Sequence, residues 1–288
     1  MIRLTGLALA ALALVSLVAG YWISARDRDV SSWQHIPDAT AEAFGWESAW
    51  IEAGPFDLLS YRRFSEPGTE LLSIYLEGDG FPWATRTEIS EDPTPRVDRV
   101  LKLAVQDKTG NTAYLARPCF YLPARELASC DPDLWTWARY GEGVVAALDI
   151  ALDRLKADAG ASKLRLIGVS GGGVLAALLA ARRNDVTSLV TVTGNLDHEV
   201  WTTRNGVTPM HDSLNAADVA RDIQHIPQVH FIGGDDANVM LADVEAYLGR
   251  MSDTSHSHVI VVPGQAHVCC WVQSWQALLG EAERSLAP

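Results

Sequence analysis

From residue 55 onward, short apolar runs of strand type alternate with longer runs whose apolar residues recur every three or four positions. The short runs predict strands over 56–63, 71–77, 112–117, 163–169, 186–193, 227–232 and 258–262, and the longer ones predict helices over 96–108, 140–158, 171–183, 239–250 and 271–285. This alternation leaves few folds open. Strands joined through helices run parallel, with right-handed crossovers, because the helix carries the chain back to the starting edge. The later strands, KLRLIGV among them, show little polar alternation, as expected where helices cover both faces. The expected class is α/β, a mainly parallel central sheet flanked by helices. Ligands of such sheets lie beyond the carboxyl ends of the strands, so functional residues are sought there.

The run 163–169 leads into Gly168-Val169-Ser170-Gly171-Gly172, a G-x-S-x-G pattern between a strand and a helix. A serine there sits on a tight turn with its hydroxyl projecting from the sheet. Gly168 and Gly172 leave room for the adjacent strand and helix, and the Gly171 N–H is a candidate donor to a developing oxyanion. Two other readings stay open. Gly171, Gly173 and Ala176 also fit the dinucleotide pattern G-x-G-x-x-A, although the acidic residue expected after the next strand, Asp197, lies past its place. The absence of G-K-[ST] excludes a nucleoside-triphosphate loop. The last reading is a structural turn with an idle serine.

A serine hydroxyl is a poor nucleophile until a base takes its proton and a carboxylate orients that base. The run 227–232 leads into GGDDANV, with Asp235 and Asp236, and the run 258–262 leads into PGQAHVCC, with His267. Serine, aspartate and histidine thus follow three strands in that order. On the segments LEGDG, GVSGGG, GGDDANV and PGQAHVCCW, the sequence over 70–278 resembles the α/β-hydrolase superfamily, and within it small exported or envelope-associated bacterial esterase-like enzymes. The resemblance implies an α/β-hydrolase fold and a Ser170-Asp236-His267 triad, with Gly233, Asp236 and Val239 matching the family's acid pattern and Asp235 as the alternate acid. It implies oxyanion donors at the N–H groups of Gly171 and Asp79, with Gly80 as alternate. Glu77 stands where members often carry histidine, a departure that leaves a backbone donor untouched. Residues 194–226 leave room for only a short or minimal cap, where Asn195, Asp197 and Trp201 are candidate substrate contacts. Trp83, Trp135, Trp137 and Trp271 are either pocket walls or core.

The implied activity is hydrolysis of an acyl bond, with a small-molecule acyl substrate, an ester first, and neither metal nor organic cofactor. A non-catalytic binding protein of the same fold is the rival. A net charge of −13 without any basic cluster excludes nucleic acid as a partner. Residues 4–23 carry no charge and are long enough for a membrane anchor or an export signal, so the rest of the chain is expected on the periplasmic side, with membrane association through 4–23. Residues 24–52 read as a linker and 53–288 as one hydrolase domain. Cys119 and Cys130 are expected to form a disulfide, as export permits. The adjacent Cys269 and Cys270 admit either a disulfide or two thiols, and neither pair has the C-x-x-C spacing of a zinc site.

Overall fold

The computed structural model describes residue 33 and residues 35–66 and 68–286. The apolar segment 4–23 lies outside the described residues, and among those described no helix is long and apolar enough to cross a membrane. Eight strands form one sheet: β1 (Glu47–Ala53), β2 (Phe56–Phe64), β3 (Leu71–Leu76), β4 (Asn111–Leu115), β5 (Lys163–Val169), β6 (Val186–Val192), β7 (Gln228–Gly233) and β8 (Ser257–Val262). Their order across the sheet is β1-β2-β4-β3-β5-β6-β7-β8. β2 runs antiparallel to both β1 and β4, and every other pair is parallel.

The seven expected strands are present, with small shifts at their ends. The expected linker needs correction. Its described part folds into α1 (Ile36–Phe44) and β1, so the domain begins well before residue 53. β1 leaves little trace in the sequence because it is an edge strand on which only Ile51 and Ala53 are buried. A turn with Gly54 at φ +68° returns the chain into β2.

The remaining helices are α2 (Arg99–Ala104), α3 (Ala124–Leu127), α4 (Glu142–Ala159), α5 (Gly171–Ala180), α6 (His198–Asn205), α7 (Ala216–Val219), α8 (Leu241–Leu248) and α9 (Trp271–Leu286). Side chains alternate across the sheet into two cores. Leu72, Ile74, Leu76, Leu164 and Leu166 pack with α4 and α5 on one face; Tyr75, Ile167, Val169, Val192 and Phe231 pack with α2 and α9 on the other. α5 is buried along its whole length, as its all-round apolar sequence requires. The chain leaves β3 toward β4 on one side and leaves β5 toward β6 on the other. The loops after β3 and β5 therefore diverge, and the crevice at this switch point lies where the two strands pair.

Candidate active site

Ser170 joins β5 to α5 at φ 52° and ψ −124°, a backbone region that costs a residue with a side chain on the order of 1–3 kcal/mol. Its N–H donates to the Val192 carbonyl at the end of β6, over 2.8 Å. The neighbouring glycines are sterically required. A Cβ on Gly168 would stand 2.2 Å from the Gly172 carbonyl oxygen, and one on Gly172 would stand 2.3 Å from that of Leu76. At Gly171 it would meet Asp79 Oδ1 at 2.0 Å, and at Gly173 the Gly194 Cα at 3.2 Å. These glycines make room for protein atoms. With the Asp79 carboxylate against Gly171, the turn has no open cradle for a pyrophosphate, so the dinucleotide reading loses its footing.

The strand ends bring the other two residues to the serine. Ser170 Oγ lies 3.0 Å from His267 Nε2, and His267 Nδ1 lies 2.9 Å from Asp236 Oδ2. The other oxygen of Asp236 accepts from the N–H groups of Asn238 (2.8 Å) and Val239 (2.9 Å), an Asx-type turn that fixes the carboxylate plane. Burial opposes charge on Asp236, but the His267 ring and these two N–H groups outweigh it and hold the carboxyl below the usual range. Asp235 is exposed and engages this region through its backbone, its N–H donating to the Gln265 carbonyl.

The loop after β3 lies directly against the elbow, since a Cβ on Gly78 would be 3.6 Å from the Ser170 Cβ. Neither the Asp79 N–H nor the Gly171 N–H has a protein acceptor among the described residues. The Asp79 side chain has a part that sequence reasoning missed. Its Oδ1 takes Arg117 Nη1 at 2.6 Å, its Oδ2 takes Arg139 Nη1 at 3.0 Å, and the Tyr140 hydroxyl lies 2.9 Å from both oxygens. Desolvation pushes this carboxyl up, and the two guanidiniums more than reverse that. The clamp ties the loop to segments far away in the chain. Gly80 sits at φ +68° with no room for a side chain, since a Cβ would be 2.2 Å from the Pro93 carbonyl oxygen.

No protein-family model matches the sequence, and no curated protein is similar to it in sequence. Solved structures are similar to it in fold. An esterase of Pyrococcus furiosus, 14% identical, superposes with a TM-score of 0.60 over 85% of this chain and 95% of its own. An alpha-beta serine hydrolase homologue from Coxiella burnetii, 17% identical, superposes with a TM-score of 0.56 over 84% and 97%. The proline iminopeptidase of Mycobacterium smegmatis, 13% identical, does so with a TM-score of 0.57 over 83% and 99%. The chain has the α/β-hydrolase fold.

In this α/β-hydrolase fold the crevice above the elbow is a cavity of about 870 Å³, within the range of small-molecule sites. Ser170 and His267 open into it. Its walls come from residues 77–100 and from the short cap, 194–226. Of the candidate substrate contacts only Trp201 lines it; the Trp201 indole N–H donates to the Asn238 carbonyl (2.9 Å), linking cap and acid loop. Asn195 and Asp197 are buried elsewhere: Asn195 donates to the Tyr140 hydroxyl (3.4 Å), and Asp197 caps α6 and accepts from Asn215. Both side chains serve the scaffold. Trp83 and Trp137 meet edge to face in the cavity wall, 5.8 Å apart, whereas Trp135 and Trp271 are core. Beyond Gly80 and Trp83, the wall residues of 80–98 escaped the sequence reading because the segment forms no regular element. Their run of prolines and aspartates was the available signal.

Cys119 and Cys130 form the expected disulfide, and Cys269 and Cys270, close after His267, are bonded to each other. Among the described residues no group of three or more His, Cys, Asp or Glu is placed to hold a metal ion.

Proposed function

We propose that this protein is a serine hydrolase that cleaves an acyl bond, with a carboxylic ester as substrate. The single observation that carries the reading is the continuous relay from Ser170 through His267 to Asp236, at 3.0 and 2.9 Å, opening into a cavity. His267 Nε2 takes the hydroxyl proton as Ser170 Oγ attacks the carbonyl carbon, and the Asp236 carboxylate stabilises the imidazolium. The Asp79 and Gly171 N–H groups receive the negative charge that develops on the carbonyl oxygen, where an unpaired donor is of most use. His267 returns the proton to the departing alcohol. Water, activated by the same imidazole, then releases the acid from Ser170. The modest cap suits a small ester. The disulfides support a working place outside the reducing cytoplasm.

Fluorophosphonate labelling, together with turnover of para-nitrophenyl esters of graded chain length, tests this. Wild type labels and turns over, and Ser170→Ala does neither. Asp236→Asn lowers kcat by ~10⁴-fold, as loss of the orienting carboxylate does in serine hydrolases, while Asp235→Asn stays near wild type. Label that persists in Ser170→Ala removes that serine as nucleophile. Wild type that neither labels nor turns over favours a binding protein on the same fold.

A further inference from the structure

The chain is strongly acidic, with a net charge of −13, yet its cavity is not. Four arginines line the wall, Arg86, Arg96, Arg99 and Arg139, against two acids, Glu77 and Asp79. Both acids are engaged elsewhere. Asp79 is clamped by Arg117 and Arg139, and the Glu77 oxygens accept from the Gly78 N–H and the Tyr114 hydroxyl, each at 2.8 Å. Two of the arginines are engaged as well: Arg139 on Asp79, and Arg96 on the Asp92 side chain (3.7 Å) while stacked 3.9 Å from the Trp33 ring.

Arg99 and Arg86 differ. Among the described residues neither guanidinium has a carboxylate oxygen within 4.0 Å or a hydrogen-bond acceptor. Arg86 is exposed, but Arg99 is partly buried, with Glu77 as a charged neighbour. A guanidinium drawn out of water without a bonded counter-charge is unfavourable unless something completes it, and its planar fork matches carboxylate-type anions. Much of the surrounding wall is apolar, including Val97, Val100, Trp83 and Trp137.

Resting on the hydrolase reading above, we infer that the natural substrate is an ester that itself carries an anionic group of carboxylate type, held by Arg99, with Arg86 on the same cavity wall, while Ser170 attacks the ester carbonyl. The anion takes no part in the chemistry. It orients the substrate.

The test uses two matched pairs of esters with full-length protein. The mono-para-nitrophenyl ester of adipic acid is compared with para-nitrophenyl hexanoate, which places the charge on the acyl side. Para-acetoxybenzoate is compared with its methyl ester, which places it on the alcohol side. Wild type favours the anionic member of at least one pair by tenfold or more in kcat/KM, mainly through KM. Arg99→Gln brings that ratio down to about one, Arg99→Lys keeps part of it, and Arg125→Gln, exposed on α3 and outside the cavity, keeps all of it. Neutral esters turned over with no anionic preference in wild type, or a preference that survives in Arg99→Gln, would overturn the assignment and leave the hydrolase standing. The wild-type ratio decides even if Arg99→Gln does not fold. Failure of all four esters, with no fluorophosphonate label on Ser170, brings down both readings.

Discussion

Under the proposed hydrolase mechanism Asp79 has two tasks in one residue: its N–H would receive the oxyanion, while its carboxylate holds the Arg117 and Arg139 guanidiniums. Asp79→Asn keeps the shape and removes the charge, leaving Arg117 and Arg139, both nearly buried, without their counter-ion. Breaking a buried pair this way costs about 3 kcal/mol or more. Urea denaturation is expected to show that loss, and kcat on a short ester is expected to fall ~10²-fold as the loop shifts. Full activity in a destabilised variant would separate the clamp from the oxyanion site. The relay was legible in the sequence because each member ends a strand, and strand ends can be read from apolar runs. The Asp79 clamp was not, since Arg117, Arg139 and Tyr140 lie 38, 60 and 61 positions away, on segments whose approach only the folded sheet defines.

Among the elements, the segment 80–98 depends most on its surroundings. It is held by scattered bonds, such as Phe81 N–H to the Pro93 carbonyl (2.8 Å) and Ser90 N–H to the Pro82 carbonyl (3.0 Å), and by the Trp135 indole N–H reaching the Ser90 carbonyl (3.1 Å). Beneath it Cys119, Leu127 and Trp135 form a small core of their own, tied by the Cys119–Cys130 disulfide. A disulfide closing so short a loop contributes about 3 kcal/mol by limiting the unfolded chain. Cys119→Ser/Cys130→Ser is therefore expected to lower the unfolding free energy by that amount in a urea titration. A change below about 1 kcal/mol would mean that the loop is ordered without the bond. Strands and long helices were legible from their periodicity. Short elements such as α3, α6 and α7 were not, because a turn or two of helix carries too little pattern, and β1 hid its two buried residues on an exposed edge.

For the whole molecule, two buried groups set opposite responses to pH. Burial pushes the Glu77 carboxyl up to about 7, against the Tyr114 hydroxyl and the Gly78 N–H, which favour its charged form. The unfolded chain gives up that proton near 4.5, so the stability this group contributes is complete below 4.5 and lost as pH rises through 7. Burial lowers His230 to about 3, so its contribution is present above the ordinary value of 6.5 and is lost as pH falls. Between 4.5 and 6.5 the two slopes oppose each other. Glu77→Gln removes one of them: the stability of wild type relative to this variant is expected to drop by about 2 kcal/mol from pH 5 to pH 7 in parallel urea titrations. An equal difference at both pH values would mean that folded Glu77 ionises like an exposed glutamate. The pairing of β3 with β5 has one more consequence. Everything before residue 160 supplies the Asp79 loop and much of the cavity wall, and everything after it supplies Ser170, Asp236 and His267. A polypeptide divided between α4 and β5 would leave the proposed site incomplete on each fragment, so if the hydrolase reading holds, ester turnover would serve as a reporter that the two fragments had found each other.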